Sequence, residues 1–436
     1  RLEGMPVEWR LSQVQKTQMA RFVLPTTRMN IDWDVRPGMQ VRLTHRPCKE
    51  LEKGWSKTGV VHDVKHDCEV TLIFKEGTVD FKEGLNEPEP EPFPTDITTG
   101  FDIEVVWIGV PYKRMREAVQ KLVTDEFAMT EYLLHTLLGN EVKVEKSEYS
   151  SNEIKYNLPD DWNVPNLPPL NDSQIAAIRH CLERPLSLIQ GPPGTGKTVT
   201  AAAIVYHLVA QKKDKVLVVA PSNTAVDHLT LKLHATGMKV VRVAAKSREG
   251  LPYLVENLML HNMVSMYAQF AKGQDHKLWK LLRKKQKKGE LSRLEEIEFK
   301  LLWRKIEIKI LNAVDVICCT CSSAADDRLK NLVFKRVLVD EATQAQEPEC
   351  LIPLVNGAQQ IILVGDHCQL GPVIKSSQAR QASYQISMFE RLVQTNIRPM
   401  RLQIQYRMHP CLSEFSSNTF YEGSLKNGVT AQERYH

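Results

Sequence analysis

The chain has 436 residues, 42% hydrophobic and 25% charged, with a net charge of +5. That length accommodates two or three domains, and no apolar run approaches the roughly 20 residues of a membrane-spanning helix. Mild basicity permits a nucleic-acid partner without requiring one. The nine cysteines lack the paired C-x-x-C spacing of a zinc site, and Cys318-Cys319-Thr320-Cys321 sits in an apolar run that reads as a buried strand. An odd, unpatterned set of thiols suits the cytosol or nucleus. The chain opens at Arg1 with no methionine and no signal-peptide pattern, so a piece of a longer protein is expected.

Over residues 1–110, short alternating runs such as Arg21–Leu24, Gln40–Leu43, Gly59–His62, Glu69–Phe74 and Phe101–Ile108 predict a small antiparallel sheet or barrel. Pro88–Pro94 alternates proline with acids and reads as an exposed extended loop. Residues 111–170 turn helical, with Met115, Val119, Leu122, Val123, Phe127, Tyr132, Leu133 and Leu137 at spacings of three and four, before the prolines at 165–169 mark a boundary.

From 171 the pattern becomes strand–helix. A helix over 171–182 leads to the apolar strand Leu186–Gln190. Strands Lys215–Ala220 and Lys239–Val243 follow, which predicts a parallel sheet covered on both faces. Residues 247–312 interrupt this with a helical pair broken near Gly289, carrying Leu278, Leu281, Leu291, Leu294, Ile297, Leu301, Ile308 and Leu311. Its stretch Lys272–Lys288 holds eight basic residues against one acidic; a solvated helix face is the plain reading and a nucleic-acid contact the sharper one. The strand pattern resumes over 313–403 with Val314–Cys321, Val333–Val339, Gln360–Val364 and Met400–Gln405. Residues 404–436 read as the start of a further domain.

Gly191-Pro192-Pro193-Gly194-Thr195-Gly196-Lys197-Thr198 fits the phosphate-cradling G-x-x-x-x-G-K-[ST] between a strand and a helix that opens at Val199. Backbone amides and the helix N-terminus suit phosphate there; Lys197 would reach the β- and γ-phosphates and Thr198 would hold Mg²⁺. Asp340-Glu341 follows an apolar strand, the place where one acid orders the metal and the next polarises water. Gln369, after the following strand, lands on the same rim, where an amide can sense a γ-phosphate.

These blocks, with Asn171…Gln174, Ala220-Pro221-Ser222-Asn223 and Gln405-Tyr406-Arg407-Met408-His409-Pro410, stand in the order of superfamily 1 helicases. Within that group the chain most resembles the up-frameshift RNA helicases, through Ser187–Thr200, Ile317–Cys321, Gln346–Cys350, Gly365–Pro372 and Tyr421–Thr430. The resemblance implies a RecA-like α/β domain in two parts (171–246 and 313–403) with an inserted β-barrel (1–110), a helical stalk (111–170), a helical insertion (247–312) and the start of a second RecA-like domain (404–436). It implies an ATP- and Mg²⁺-dependent motor moving 5′→3′ on single-stranded RNA, also DNA, in nonsense-mediated mRNA decay. Decay-factor proteins would bind through regions outside this chain, and the location would be cytoplasmic, with the nucleus as a second site.

By the same resemblance Gln174 would read adenine and Tyr406 would stack on it. Arg407 would reach the γ-phosphate with Gln369, Asp340 would bind metal and Glu341 water, and Pro221, Ser222, Asn223 and Thr320 would touch the nucleic-acid backbone. Ala342 stands where the group usually has Ser, and Ser322–Ala325 replaces a glycine-containing loop. A further arginine is expected from the second RecA-like domain, so weak hydrolysis is expected of this stretch alone. An ATP-switched RNA-binding adaptor and a DNA helicase of the same superfamily are the other readings.

Overall fold

The computed structural model describes residues 2–11, 18–24, 35, 37, 39–48, 54–65, 68–74, 92–106, 109–140, 158–211, 214–249, 254–288 and 291–434. These fall into two compact units, Arg1–Gly109 with Lys246–Leu251, and Val110–Ala245 with Pro252–His436. Most of the proline-rich stretch (88–91) and the end of the predicted strand 101–108 lie outside the described residues, as does Gly289.

The first unit holds β1 (Leu2–Met5), β2 (Glu8–Leu11), β3 (Gln18–Val23), β4 (Gln40–His45), β5 (Trp55–Val64), β6 (Glu69–Ile73) and β7 (Phe101–Val105). They pair antiparallel in the order β1-β7-β4-β5-β6-β3-β2. The outer strands β1 and β2 are consecutive in the chain, with only Pro6 and Val7 between them, so the sheet must curl into a barrel. Alternation does what the pattern requires: in β4, Val41 and Leu43 are buried while their neighbours stay half-exposed. Trp9, Trp55, Phe74, Phe93 and Phe101 fill the inside at ring separations of 5.1 to 6.2 Å.

The second unit begins with α1 (Val110–Thr124), α2 (Glu131–Leu137) and α3 (Asp172–Glu183). Then come β8 (Leu186–Gln190), α4 (Lys197–Gln211), β9 (Val216–Ala220), α5 (Asn223–Ala235) and β10 (Val240–Val243). The helical insertion follows as α6 (Leu260–Phe270), α7 (His276–Lys288) and α8 (Arg293–Ala313). Next are β11 (Val316–Thr320), β12 (Arg336–Val339), α9 (Glu347–Leu351), β13 (Gln360–Gly365), α10 (Ser377–Gln381), α11 (Met388–Gln394) and β14 (Met400–Arg401). The last elements are β15 (Ile404–Gln405), α12 (Pro410–Phe420) and β16 (Lys426–Asn427).

Seven strands form one parallel sheet, ordered β10-β11-β9-β12-β13-β8-β14. Both faces are covered, as the unbroken apolar runs demand. Leu188, Leu217, Val219, Val339 and Leu363 pack with α1, α2, α6 and α11 on one side. Ile189, Val218, Leu338, Ile362 and Val364 pack with α3, α4 and α5 on the other. This is a RecA-like α/β core. Among the described residues no helix is long and apolar enough to cross a membrane.

Three local expectations are corrected. The helical stretch after Tyr112 breaks over 125–130, where Asp125 Oδ1 accepts the amide of Phe127 (2.9 Å) and Met129 bridges Ala358. Phe127 is therefore 86% exposed instead of lying on a buried face. In the insertion, Leu294, Ile297, Leu301 and Ile308 point to solvent; of the predicted α8 positions Leu311 is buried, and Ile306 and Ile310 are buried beside it. The basic α7 meets the acids of α8: Lys277 pairs with Glu298, Lys284 with Glu295, and Lys285 with Glu296 at 3.4 Å. Finally, the predicted strand 400–405 splits: β14 extends the main sheet beside β8, while β15 turns away to pair with β16.

Candidate active site

The C-terminal ends of the parallel strands carry the predicted site. At the end of β8 the chain turns through Gly194 (φ +78°) and Gly196 (φ +81°), left-handed conformations that favour glycine. The Gly191 amide donates to Gly365 O (2.9 Å), tying the loop to β13, and Thr195 Oγ1 donates to Pro192 O (2.7 Å). Pro193 belongs to the same turn, and α4 opens at Lys197, with Thr198 and Val199 in its first turn, where backbone N–H groups are available to an anion. Lys197 Nζ donates to Gly191 O (2.9 Å), and a Cβ on Gly191 would come within 2.0 Å of the Lys197 Cγ. Glycine is thus what lets the lysine stem cross the loop.

Asp340 and Glu341 follow β12. Asp340 is 3% exposed; burial first, and the neighbouring Glu341 charge second, push its carboxyl up to about 7, while Lys197 pulls the other way. Glu341 is left-handed (φ +51°) without being glycine, a strained conformation of the kind found at functional sites. Its Oε2 accepts from Gln344 Nε2 at 3.1 Å.

After β13, Asp366 is the centre of a network that the sequence did not single out. Its Oδ1 accepts from Gln190 Nε2 and from the Cys368 amide, both at 3.2 Å. Its Oδ2 accepts from Gln369 Nε2 and from Tyr421 Oη, both at 2.7 Å. Arg401 Nε donates to Gln190 Oε1 at 2.9 Å. Gln369, the predicted phosphate sensor, is exposed at the rim with its amide held by Asp366.

Tyr406 and Arg407 lie against the phosphate loop: the Tyr406 amide donates to Gly194 O (2.9 Å) and Asn171 Nδ2 donates to Tyr406 Oη (3.1 Å). Gln405 builds this turn, its Oε1 accepting the amides of Arg407 (2.9 Å) and Met408 (2.8 Å). Gln174 is buried. Its Oε1 caps α3 by accepting from the Asn171 amide (3.0 Å), and its Nε2 donates to Thr195 O (3.3 Å).

The predicted nucleic-acid residues sit along the same rim. Pro221, Ser222 and Asn223 follow β9, and Thr320 ends the adjacent β11, level with Ala220. Ser222 Oγ caps α5 by accepting from the Ala225 amide (3.1 Å), and Thr320 Oγ1 bonds Ser323 within the short helical turn Ser322–Ala325. Asn223 Oδ1 accepts from Arg242 Nη2 (2.8 Å); that arginine is fully buried and pairs with Asp227 Oδ1 (2.8 Å). The only sequence signal for this clamp was an arginine inside the apolar run Val240–Val243.

A phosphate loop, paired acids and an amide at consecutive strand ends of a parallel sheet define a P-loop nucleotide-binding fold. The Thr198 hydroxyl and the Asp340 carboxylate are oxygen donors of the sort Mg²⁺ takes, and a buried carboxyl raised by desolvation is one a cation would relieve, so the residues fit the metal.

Comparison with known proteins agrees. Residues 169–287 and 268–377 match a family described as AAA domain, and residues 384–436 match a second family of that description. The chain is 46% identical over 432 residues to the Regulator of nonsense transcripts 1 homolog of Arabidopsis thaliana, covering 99% of this chain and 32% of that protein. It is 46% identical over 435 residues to the ATP-dependent helicase NAM7 of Saccharomyces cerevisiae, covering 99% of this chain and 42% of that one. The solved structure of PRRSV helicase aligns over 59% of this chain and 37% of its own at a TM-score of 0.29 and 14% identity. The chain belongs to the regulator of nonsense transcripts 1 family, and it spans between 31% and 45% of the length of the curated relatives it matches.

Proposed function

We propose that this chain is the nucleotide-binding core of an ATP-dependent helicase that moves 5′→3′ on single-stranded RNA, and also DNA, in nonsense-mediated mRNA decay. One observation carries the reading. In the sheet order, β12 with Asp340 and Glu341 lies between the strands of the phosphate side, β13 and β8, and those of the Pro221–Asn223 and Thr320 side, β9 and β11. This order supports the reading, in which a change at the nucleotide reaches the nucleic-acid contacts through directly paired strands.

In this reading the loop amides and the first turn of α4 bind phosphate, and Lys197 exchanges the Gly191 carbonyl for the β- and γ-phosphates. Bound with the nucleotide through Thr198 and Asp340, Mg²⁺ supplies charge neutralisation on the phosphate oxygens. Glu341, aimed by Gln344, orients the attacking water and accepts its proton. Gln369 and Arg407 meet the γ-phosphate, and Tyr406, set by Asn171, stacks on adenine with Gln174 behind it. Decay-factor partners and a cytoplasmic or nuclear location belong to the same reading, and all nine cysteines being free thiols supports the reducing compartment.

The test is ATP turnover by the protein at its natural length, with and without single-stranded RNA and DNA. Stimulation by nucleic acid, lost by about a hundredfold in Lys197→Ala, is expected. Turnover indifferent to both nucleic acids would contradict a motor.

A further inference from the structure

Asp366 is 1% exposed, and Tyr421, which ends α12, is 2% exposed. Burial, followed by the bond to Asp366, pushes the Tyr421 phenol above its usual range, so its oxygen keeps the proton and donates it. The Oδ2 of Asp366 is therefore shared by two donors at 2.7 Å, the Tyr421 hydroxyl and the Gln369 amide. The network closes on itself. Arg401 reaches Gln190 through Nε (2.9 Å), while its Nη1 donates to Tyr421 O (3.2 Å) and to Ser424 Oγ (3.1 Å). Gln190 Nε2 then returns to Asp366 Oδ1 at 3.2 Å.

We infer that Tyr421 is a positioning residue for Gln369, setting through Asp366 how readily the glutamine amide turns to a γ-phosphate. This rests on the reading of the chain as an ATPase. Of the groups on Asp366, Gln369 alone stands exposed at the rim, so it is the one able to leave. When it does, a buried carboxylate loses a donor, and a buried charge short of partners is costly. The Tyr421 hydroxyl lowers that cost by keeping Oδ2 bonded. Without it, Asp366 holds Gln369 more tightly and the amide reaches the phosphate less often. The same bond couples the release of Gln369 to the end of α12, because Tyr421 closes that helix with its amide on Ser417 O at 3.0 Å.

The test is steady-state ATP hydrolysis with saturating single-stranded RNA, on the protein at its natural length, for Tyr421→Phe, Gln369→Ala and the double variant. Removing one hydrogen bond to a charged group should lower kcat about tenfold in Y421F, with KM for ATP changed less than about twofold. In the Q369A background, Y421F should have no further effect, because the residue it positions is gone. Effects that multiply in the double variant, or an unchanged kcat in Y421F, would overturn the positioning role. Should Y421F fail to fold, Asp366→Asn, which removes the charge that holds Gln369, should likewise change kcat in the parent and have no further effect in the Q369A background; a change that persists in Q369A would overturn the coupling. Lys197→Ala separates the two levels: hydrolysis surviving K197A overturns the ATPase reading and this inference together. An inactive K197A beside a silent Y421F overturns the inference alone.

Discussion

The amide of Tyr406 donates to the carbonyl of Gly194 at 2.9 Å, so the segment proposed to hold the base is pinned directly on the loop proposed to hold the phosphates. Two stretches more than two hundred residues apart in sequence are thereby one surface. Gly194 makes the contact possible: it is left-handed, and a Cβ there would lie 2.5 Å from the Arg407 Cβ. Gly194→Ala should therefore displace Arg407 or strain the loop. We expect ATP affinity measured calorimetrically to fall at least about tenfold, and stability to urea by ~2 kcal/mol.

The Arg242–Asp227 pair is buried behind Asn223. Asp227→Ala would leave a guanidinium uncompensated in the interior, and equilibrium unfolding should show a loss of ~3–5 kcal/mol. Adding Arg242→Met should recover most of it. A loss below ~1 kcal/mol in D227A would show that the charge finds another partner.

Burial pushes the Glu349 carboxyl up to about 7. Between its unfolded pKa near 4.5 and that value the native state holds a proton that the unfolded chain has lost, so stability is greatest below the window and falls as pH rises through it. Glu349→Gln should match the parent at pH 5 and exceed it by ~2 kcal/mol at pH 8, read from urea midpoints.

The lysines of α7 that face α8 are already in ion pairs, Lys284 with Glu295 and Lys285 with Glu296. Such exposed pairs stabilise little, yet they occupy the charges a phosphate would need. Lys284→Ala with Lys285→Ala should leave the salt dependence of RNA affinity unchanged; a slope shallower by about one per lost phosphate contact would assign them to the RNA track.

The parts of this site that were legible in sequence are those written as contiguous chemistry. The loop at 191–198, the acids after an apolar strand and the parallel sheet itself all follow from short runs whose spacing has a physical cause. The support around them was not legible. Asp366 meets Tyr421 across 55 residues, and Gln190 looks like a polar end to a strand until Arg401 is found beside it. Periodicity also gave the wrong face for Leu294, Ile297 and Leu301, because α8 carries apolar residues on two sides and only tertiary packing decides between them. Gln174 shows the same limit from the other direction: its position marks the nucleotide site, but its amide is engaged in capping α3 and bonding Thr195.

In the proposed function Glu341 orients water for hydrolysis at a site that binds ATP through other residues. That role is tested most directly by Glu341→Gln, in the protein at its natural length with RNA present, measuring ATP binding and ATP turnover side by side. An affinity within about threefold of the parent and a turnover lower by at least about a hundredfold are expected. Turnover at the parent rate with affinity intact would contradict that role.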